Sequence, residues 1–182
     1  MPSYCEYVRD HPEDELNRRY HDLEYGFPLR QDSLLFERFV FEINQAGLSW
    51  ITILKKKDNF RRVYQGFDID KVATFDEKDI NRLLLDPGII RNRLKINAAI
   101  ENARRIQALH AEFGSFKGWL DAHHPRQLDE WTGLFKANFV FTGREIVREF
   151  LISTGYLPGA HDEDCPIYKK VASLKPGWTI MK

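Results

Sequence analysis

Cysteine is scarce in this chain: two in 182 residues, Cys5 and Cys165, near opposite ends. A chain of this length needs no disulfide framework to hold a core, and none is expected. Long apolar runs are missing as well. None exceeds three residues, Leu83–Leu85 being typical, which predicts that no helix spans a membrane. The first twenty residues carry eight charges and no apolar stretch, unlike a secretory signal, so a cytoplasmic protein is expected. Internal repeats and low-complexity tracts are absent. Net charge is absent too, with 27 Lys and Arg against 27 Asp and Glu.

What is there is enough apolar material for a core: 43% hydrophobic and 13% aromatic residues exclude a disordered or collagen-like chain. The length suits one domain, 1–182, or a domain with a small appended lobe. The neutral total hides an uneven distribution. Residues 1–50 hold five basic and ten acidic side chains, residues 51–109 thirteen and eight, and residues 110–182 nine of each. A basic middle can give one positive face for phosphate, or simply a solvated helix surface.

The periodicity is helical nearly throughout, so the expected fold class is all-α. Asp32-Ser33 can cap a helix to Gln45 with Leu35, Phe36, Phe39, Val40, Ile43 and Ala46 on its apolar side. A second helix is expected from Trp50 to Tyr64, and a short one opened by Asp76 and Asp79. A long one should run from Arg91 to Phe113 before Gly114, and another short one from Ser115. Thr142-Gly143-Arg144-Glu145 reads as a capping box opening a helix to Gly155. Ile51–Leu54 and Phe139–Phe141 are the only strand-like runs. The tail from Tyr156 should wrap back over the helices.

Four constellations could carry chemistry. Glu42 falls on the buried stripe of its helix, where a carboxylate needs either a structural hydrogen-bonding partner or a function. Gly47-Leu48-Ser49-Trp50 forms a corner between helices, with Gly47 suited to a C-terminus and Ser49 to an N-cap. Cys5 with His21, and His161 with Cys165, make a possible Cys2His2 zinc set, or two unrelated thiols. The turns at Pro87–Ile90 and Phe141–Arg144 could present amides to phosphate, with Lys55, Lys56, Lys57, Arg61, Arg62, Arg91, Arg93 and Lys95 nearby, or be plain connectors.

Together these residues resemble the DNA-3-methyladenine glycosylase I family of helix-hairpin-helix glycosylases. The matching blocks are Tyr20–Gly26, Glu42–Lys57 and Gly88–Ile96, with the Phe-rich turn before Gly143 and the His161/Cys165 pair. The resemblance implies an all-α fold with a helical core over about 32–150, and a lobe of 1–31 and 151–182 linked by one structural zinc on Cys5, His21, His161 and Cys165. It puts the base-recognising carboxylate on Glu42, a base-contacting ring on Tyr20 and a stacking ring on Trp50. Leu48, beside Gly47, falls where the family plugs the gap left in DNA; Arg91, Arg93 and Gly143 are the expected backbone contacts.

The implied activity is hydrolysis of the N-glycosidic bond of 3-methyladenine in alkylated double-stranded DNA by a monomer, without strand cleavage. A DNA-binding module that has lost the activity, or a glycosylase for another alkylated base, is the alternative. Several positions depart from the family pattern. Tyr7 stands where a stacking tryptophan is usual and is the ring expected to contact the base from that position. Tyr25 replaces another tryptophan, the Cys5–His21 spacing is longer, and the Gly143 turn continues with Arg144-Glu145 rather than small polar residues.

Overall fold

The computed structural model describes residues 2–180. Among them the chain forms eleven α-helices and no strand. They are α1 (Tyr4–Asp10), α2 (Glu15–Leu23), α3 (Asp32–Gln45), α4 (Trp50–Val63), α5 (Ile69–Ala73) and α6 (Glu77–Leu85). The rest are α7 (Arg93–Phe113), α8 (Phe116–His123), α9 (Leu128–Asn138), α10 (Arg144–Ser153) and α11 (Pro166–Ser173). Residues 1, 181 and 182, which complete the expected 1–182 domain, lie outside the described residues. Of the strand-like runs, Ile51–Leu54 is inside α4 and Phe139–Phe141 lies in the turn between α9 and α10.

α3 is the axis of the molecule. Every residue from Leu35 to Asn44 is buried, so the expected one-sided amphipathic helix is in fact covered all round by α4, α7, α8 and α10. Its Phe39 ring meets Phe116, Phe135, Phe139 and Phe150 at centroid distances of 5.3–6.3 Å. Burial on every side forces its polar members to find partners. Glu37 accepts two hydrogen bonds from Arg61 (2.7 and 2.8 Å), and Asn44 donates to the Val40 carbonyl (2.8 Å).

Helix ends follow local chemistry in some places and tertiary contacts in others. Asp76 and Asp79 form a reciprocal capping box, Ser115 accepts from the Gly118 amide, and Gly114 ends α7 with φ +76°. Asp32 does not cap its own helix. It is the first residue of α3, and its carboxylate accepts from the Phe116 and Lys117 amides (2.7 and 2.9 Å), capping α8. The expected box at Thr142 is not formed, because α10 starts one residue later. Gly143 is the N-cap, Glu145 falls one position short of where a box needs it, and Thr142 is buried. The long helix likewise starts at Arg93, capped by Asn92 rather than opened by Arg91.

The two chain ends meet. The Gly26 amide donates to the Ser153 carbonyl (2.9 Å), and a Cβ at Gly26 (φ +79°) would stand 2.5 Å from the Ala160 Cβ. Only glycine allows that approach, and it sets His161 beside Tyr25. The C-terminal tail thus folds back as expected, with α11 as an added helix.

Candidate active site and metal cluster

Two polar sites flank the Tyr20–Tyr25 segment. In the first, Cys5 Sγ, His21 Nε2, His161 Nδ1 and Cys165 Sγ all lie within 4.8 Å of one another. The two histidine nitrogens are 3.2 Å apart, and the sulfur–nitrogen distances run from 3.2 to 3.9 Å. A tetrahedral ion with sulfur at about 2.3 Å and nitrogen at about 2.0 Å needs ligand separations of about 3.3–3.8 Å. The donor set fits.

The outer contacts fit as well. His21 Nδ1 donates to Asp22 (2.7 Å) and His161 Nε2 donates to the Tyr25 carbonyl (2.8 Å), which leaves the inward nitrogen of each ring with a lone pair. The Asp162 amide donates to Cys5 Sγ at 3.4 Å. Burial pushes the Cys5 thiol up to about 12, so a cation among these sulfurs is what would hold them as thiolates. These four side chains could hold one metal ion. α1, α2 and the Ala160–Cys165 segment each contribute, so the cluster ties the N-terminal helices to the tail.

The second site is a cavity of about 210 Å³ lined by Tyr4, Tyr20, Tyr25, Glu42, Gln45, Trp50 and Glu149. It is smaller than the roughly 300–1,000 Å³ of a drug-sized pocket, a volume suited to one flat heterocycle. Tyr20 and Trp50 approach at 5.0 Å between ring centroids, and Tyr4 meets Tyr25 edge-on at 5.3 Å. The Tyr4 hydroxyl is held by Asn17 Oδ1 (2.8 Å). Burial keeps the Tyr4, Tyr20 and Tyr25 hydroxyls protonated far above neutrality. The Trp50 indole N–H has no hydrogen-bond partner among the described residues.

Glu42 is 4% exposed, as its place on α3 predicts. Burial pushes its carboxyl up to about 8; Arg38 opposes that shift and Glu149 adds to it. The Ser153 hydroxyl is near enough to lower it, but donates to the Phe150 carbonyl at 3.1 Å. Arg38 is buried one turn before Glu42 and does not neutralise it directly. Its Nη1 donates to the Tyr20 hydroxyl (2.9 Å) and the Ser153 carbonyl (3.3 Å), with its guanidinium 4.9 Å from the Tyr20 ring centre. Glu42 is therefore a buried carboxyl group with no adjacent cation to ionise against.

A family model described as methyladenine glycosylase matches residues 10–132. The chain belongs to that family. It is 37% identical over 175 residues to DNA-3-methyladenine glycosylase 1 of Escherichia coli (strain K12), with 86% of this chain and 93% of the relative covered. It is 32% identical over 185 residues to the DNA-3-methyladenine glycosylase of Haemophilus influenzae (strain ATCC 51907 / DSM 11121 / KW20 / Rd), covering 91% and 98%. Its structure resembles that of 3-methyladenine DNA glycosylase I (TAG) from Staphylococcus aureus, solved for the structural basis of 3-methyladenine recognition. That match has a TM-score of 0.78 at 33% identity, over 85% of this chain and 92% of the other.

In this methyladenine glycosylase family member the site residues separate into those brought together and those not. Glu42, Tyr20 and Trp50 share the cavity. Tyr7 does not line it; its hydroxyl donates to Asp14 (2.9 Å), and Tyr4, one helical turn earlier, takes the place expected of it. Gly47 (φ +81°) and Leu48 (38% exposed) sit at the corner, and Gln45 links corner to cavity by donating to the Leu48 carbonyl (2.9 Å).

Most of the nominated cations are committed elsewhere. Lys95 is buried, and its ammonium donates to the Asn44 and Ala46 carbonyls (2.8 and 2.7 Å), capping the end of α3. Arg61 and Arg62 pair with Glu37 and Asp86, Lys57 with Glu24, and Arg93 with Glu77 (2.7 Å). Lys56 donates to the Pro87 carbonyl (2.9 Å). Arg91 is exposed and makes no ion pair among the described residues. The Gly88 amide is already taken by Asp86 (2.7 Å), whereas Gly143 begins α10 without any side-chain cap.

Sequence reasoning missed Tyr4, Arg38 and Glu149. Arg38 had a readable signal, since it stands four residues before Glu42 on the same helix face. Glu149 had none, because only tertiary packing brings α10 against α3.

Proposed function

We propose that the protein is a monofunctional DNA glycosylase that hydrolyses the N-glycosidic bond of 3-methyladenine in alkylated double-stranded DNA. The observation that carries this reading is Glu42, a buried carboxyl group without an ion-pair partner at the floor of an aromatic cavity of about 210 Å³. A purine methylated at N3 carries a positive charge, so its glycosidic bond is already weakened and little acid catalysis is needed. The same charge makes it a fitting occupant: Glu42 ionises toward the incoming cation and accepts hydrogen bonds from its edge. Undamaged bases bring no charge to offset that burial. Tyr20 and Trp50 stack on the extruded base, and Leu48 fills the space that it leaves in the duplex. No lysine lines the cavity among the described residues, in keeping with hydrolysis by water rather than a Schiff base.

The remaining assignments belong to the same reading. The chain is one glycosylase domain with its helical core over about 32–150. α9, its turn and α10 act as the helix-hairpin-helix, the uncapped amides after Gly143 receiving a backbone phosphate. Asn102, fully buried, fixes that turn by exchanging hydrogen bonds with the Val140 backbone (2.9 and 3.0 Å). Arg91 serves as a second, mobile phosphate contact. Cys5, His21, His161 and Cys165 hold one structural zinc, which with four protein ligands leaves no position for water and joins the 1–31 and 151–182 segments. The protein works as a cytoplasmic monomer.

Chromatography of bases released from methylated genomic DNA tests this function. Release of 3-methyladenine by the wild type, and its loss in Glu42→Gln, is the expected result. Tight binding without release would identify a damage-binding module, and release of other adducts alone a different glycosylase.

A further inference from the structure

The cavity carries two carboxylates at different depths. Glu42, from α3, is 4% exposed, whereas 34% of the Glu149 side chain, from α10, is open to solvent. A base swung out of the helix enters edge first, so its hydrogen-bonding edge reaches the deep wall while its glycosidic bond stays toward the opening. The shallower carboxylate therefore lies at the sugar end. Its position is fixed from both sides: Arg148 Nη1 donates to Oε1 at 2.5 Å, and the Tyr25 hydroxyl donates to Oε2 at 3.4 Å. The second contact is long, which leaves Oε2 able to accept from another donor. Tyr25 is itself anchored, its carbonyl accepting from His161.

Resting on the reading of this cavity as the base site, we propose that Glu149 is a catalytic carboxylate acting on the sugar. It stabilises the positive charge that develops at C1′ and takes a proton from the attacking water. The C1′–N9 bond breaks with both electrons going to the purine, which leaves neutral because it entered as a cation. The charge passes to the sugar, and the water oxygen bonds to C1′. One water proton moves to Glu149 and on to solvent; the other stays in the new C1′ hydroxyl of the abasic site. Glu42 cannot serve this step, since it faces the opposite edge of the base. Burial pushes the Glu149 carboxyl above its ordinary range while Arg148 opposes, a direction that improves it as a proton acceptor near neutrality.

Glu149→Gln and Glu149→Asp, with the wild type and Glu42→Gln beside them, test the assignment. Single-turnover excision of 3-methyladenine from duplex DNA should fall about 100-fold in Glu149→Gln, the scale of a lost general base. Its Kd for free 3-methyladenine should stay near the wild-type value, whereas Glu42→Gln should lose free-base binding. Glu149→Gln should also bind a duplex bearing a cationic pyrrolidine in place of the sugar about ten-fold more weakly, and bind the neutral tetrahydrofuran duplex as the wild type does. Glu149→Asp keeps the charge and should recover part of both losses, and it carries the test if the glutamine variant fails to fold. Wild-type excision in Glu149→Gln, or equal weakening on both duplexes, overturns the proposal. Loss of free-base binding together with excision also overturns it, by moving Glu149 to base recognition. A wild-type protein that neither binds nor releases 3-methyladenine overturns the base-site reading itself, and the proposal with it.

Discussion

The Cys/His cluster and the aromatic cavity share a wall, yet their polar groups are in opposite conditions. In the cluster four donor atoms converge and both outer ring nitrogens are bonded, to Asp22 and to the Tyr25 carbonyl. In the cavity Glu42 has no neutralising partner and the Trp50 N–H no acceptor. Polar groups that complete one another suit a cross-link between chain ends. Polar groups left incomplete, at a cost in folding stability, suit a ligand that supplies what is missing. The difference teaches which site should answer to heat and which to substrate.

Breaking the cluster should have the largest effect. Cys165→Ser or His161→Ala should leave far less than one zinc per chain by elemental analysis and lower Tm by about 10 °C or more, in line with metal binding as folding energy. Chelation of the wild type should reproduce the loss. A metal-free chain of unchanged Tm would erase the contrast between the two sites.

Glu42→Gln should behave in the reverse manner, losing about 100-fold in single-turnover excision while melting no lower than the wild type. Its stability gain should depend on pH in a defined sense. Folded Glu42 keeps its proton up to about pH 8, while in the unfolded chain it ionises from about 4.5. Across that window the unfolded chain binds fewer protons, so rising pH removes stability from the wild type and not from the variant. The difference in Tm should be absent below pH 4.5, grow up to pH 8 and then level off. A variant that unfolds at every pH would make Glu42 a structural residue.

Smaller effects separate the cap from the DNA contacts. Lys95→Met leaves the Asn44 and Ala46 carbonyls without their donor and should cost about 1–3 kcal/mol in denaturant unfolding, with no change in the salt slope of DNA binding. Leu48→Ala should weaken binding to a lesion duplex and leave Tm unaltered. Arg91→Ala should lower the salt slope by about 1, and Arg93→Ala by less, because Arg93 is already paired with Glu77. Unchanged slopes in both would leave the Gly143 turn as the phosphate contact.

Much of the fold was legible because its signals are local. The 3.6-residue period, the Asp76/Asp79 box, Ser115 and Gly114 all act within a turn or two of their own position. α1, α2, α5, α9 and α11 were not delimited, since three of the five are eight residues or shorter and draw stability from packing rather than pattern. The site was legible in part for a similar reason. Glu42 betrays itself by lying on a buried face, whereas Trp50 at its helix start reads as an ordinary corner and is marked only by the family resemblance. Tyr4 and Tyr7 differ by one helical turn, so that only packing chooses between them.

By itself, then, the sequence determined an all-α chain and a buried Glu42, because periodicity and residue chemistry are carried along the chain; it left Cys5, His21, His161 and Cys165 as two pairs that only the family resemblance joined into one ligand set. Which cations are free, which aspartate caps which helix, and how the two carboxylates share one cavity were decided only in three dimensions. Asp32 caps α8 from 84 positions away, Lys95 closes α3 across 51, and Glu149 reaches the Tyr25 wall across 124. Charges act through space, and no local pattern records what folding will bring beside them.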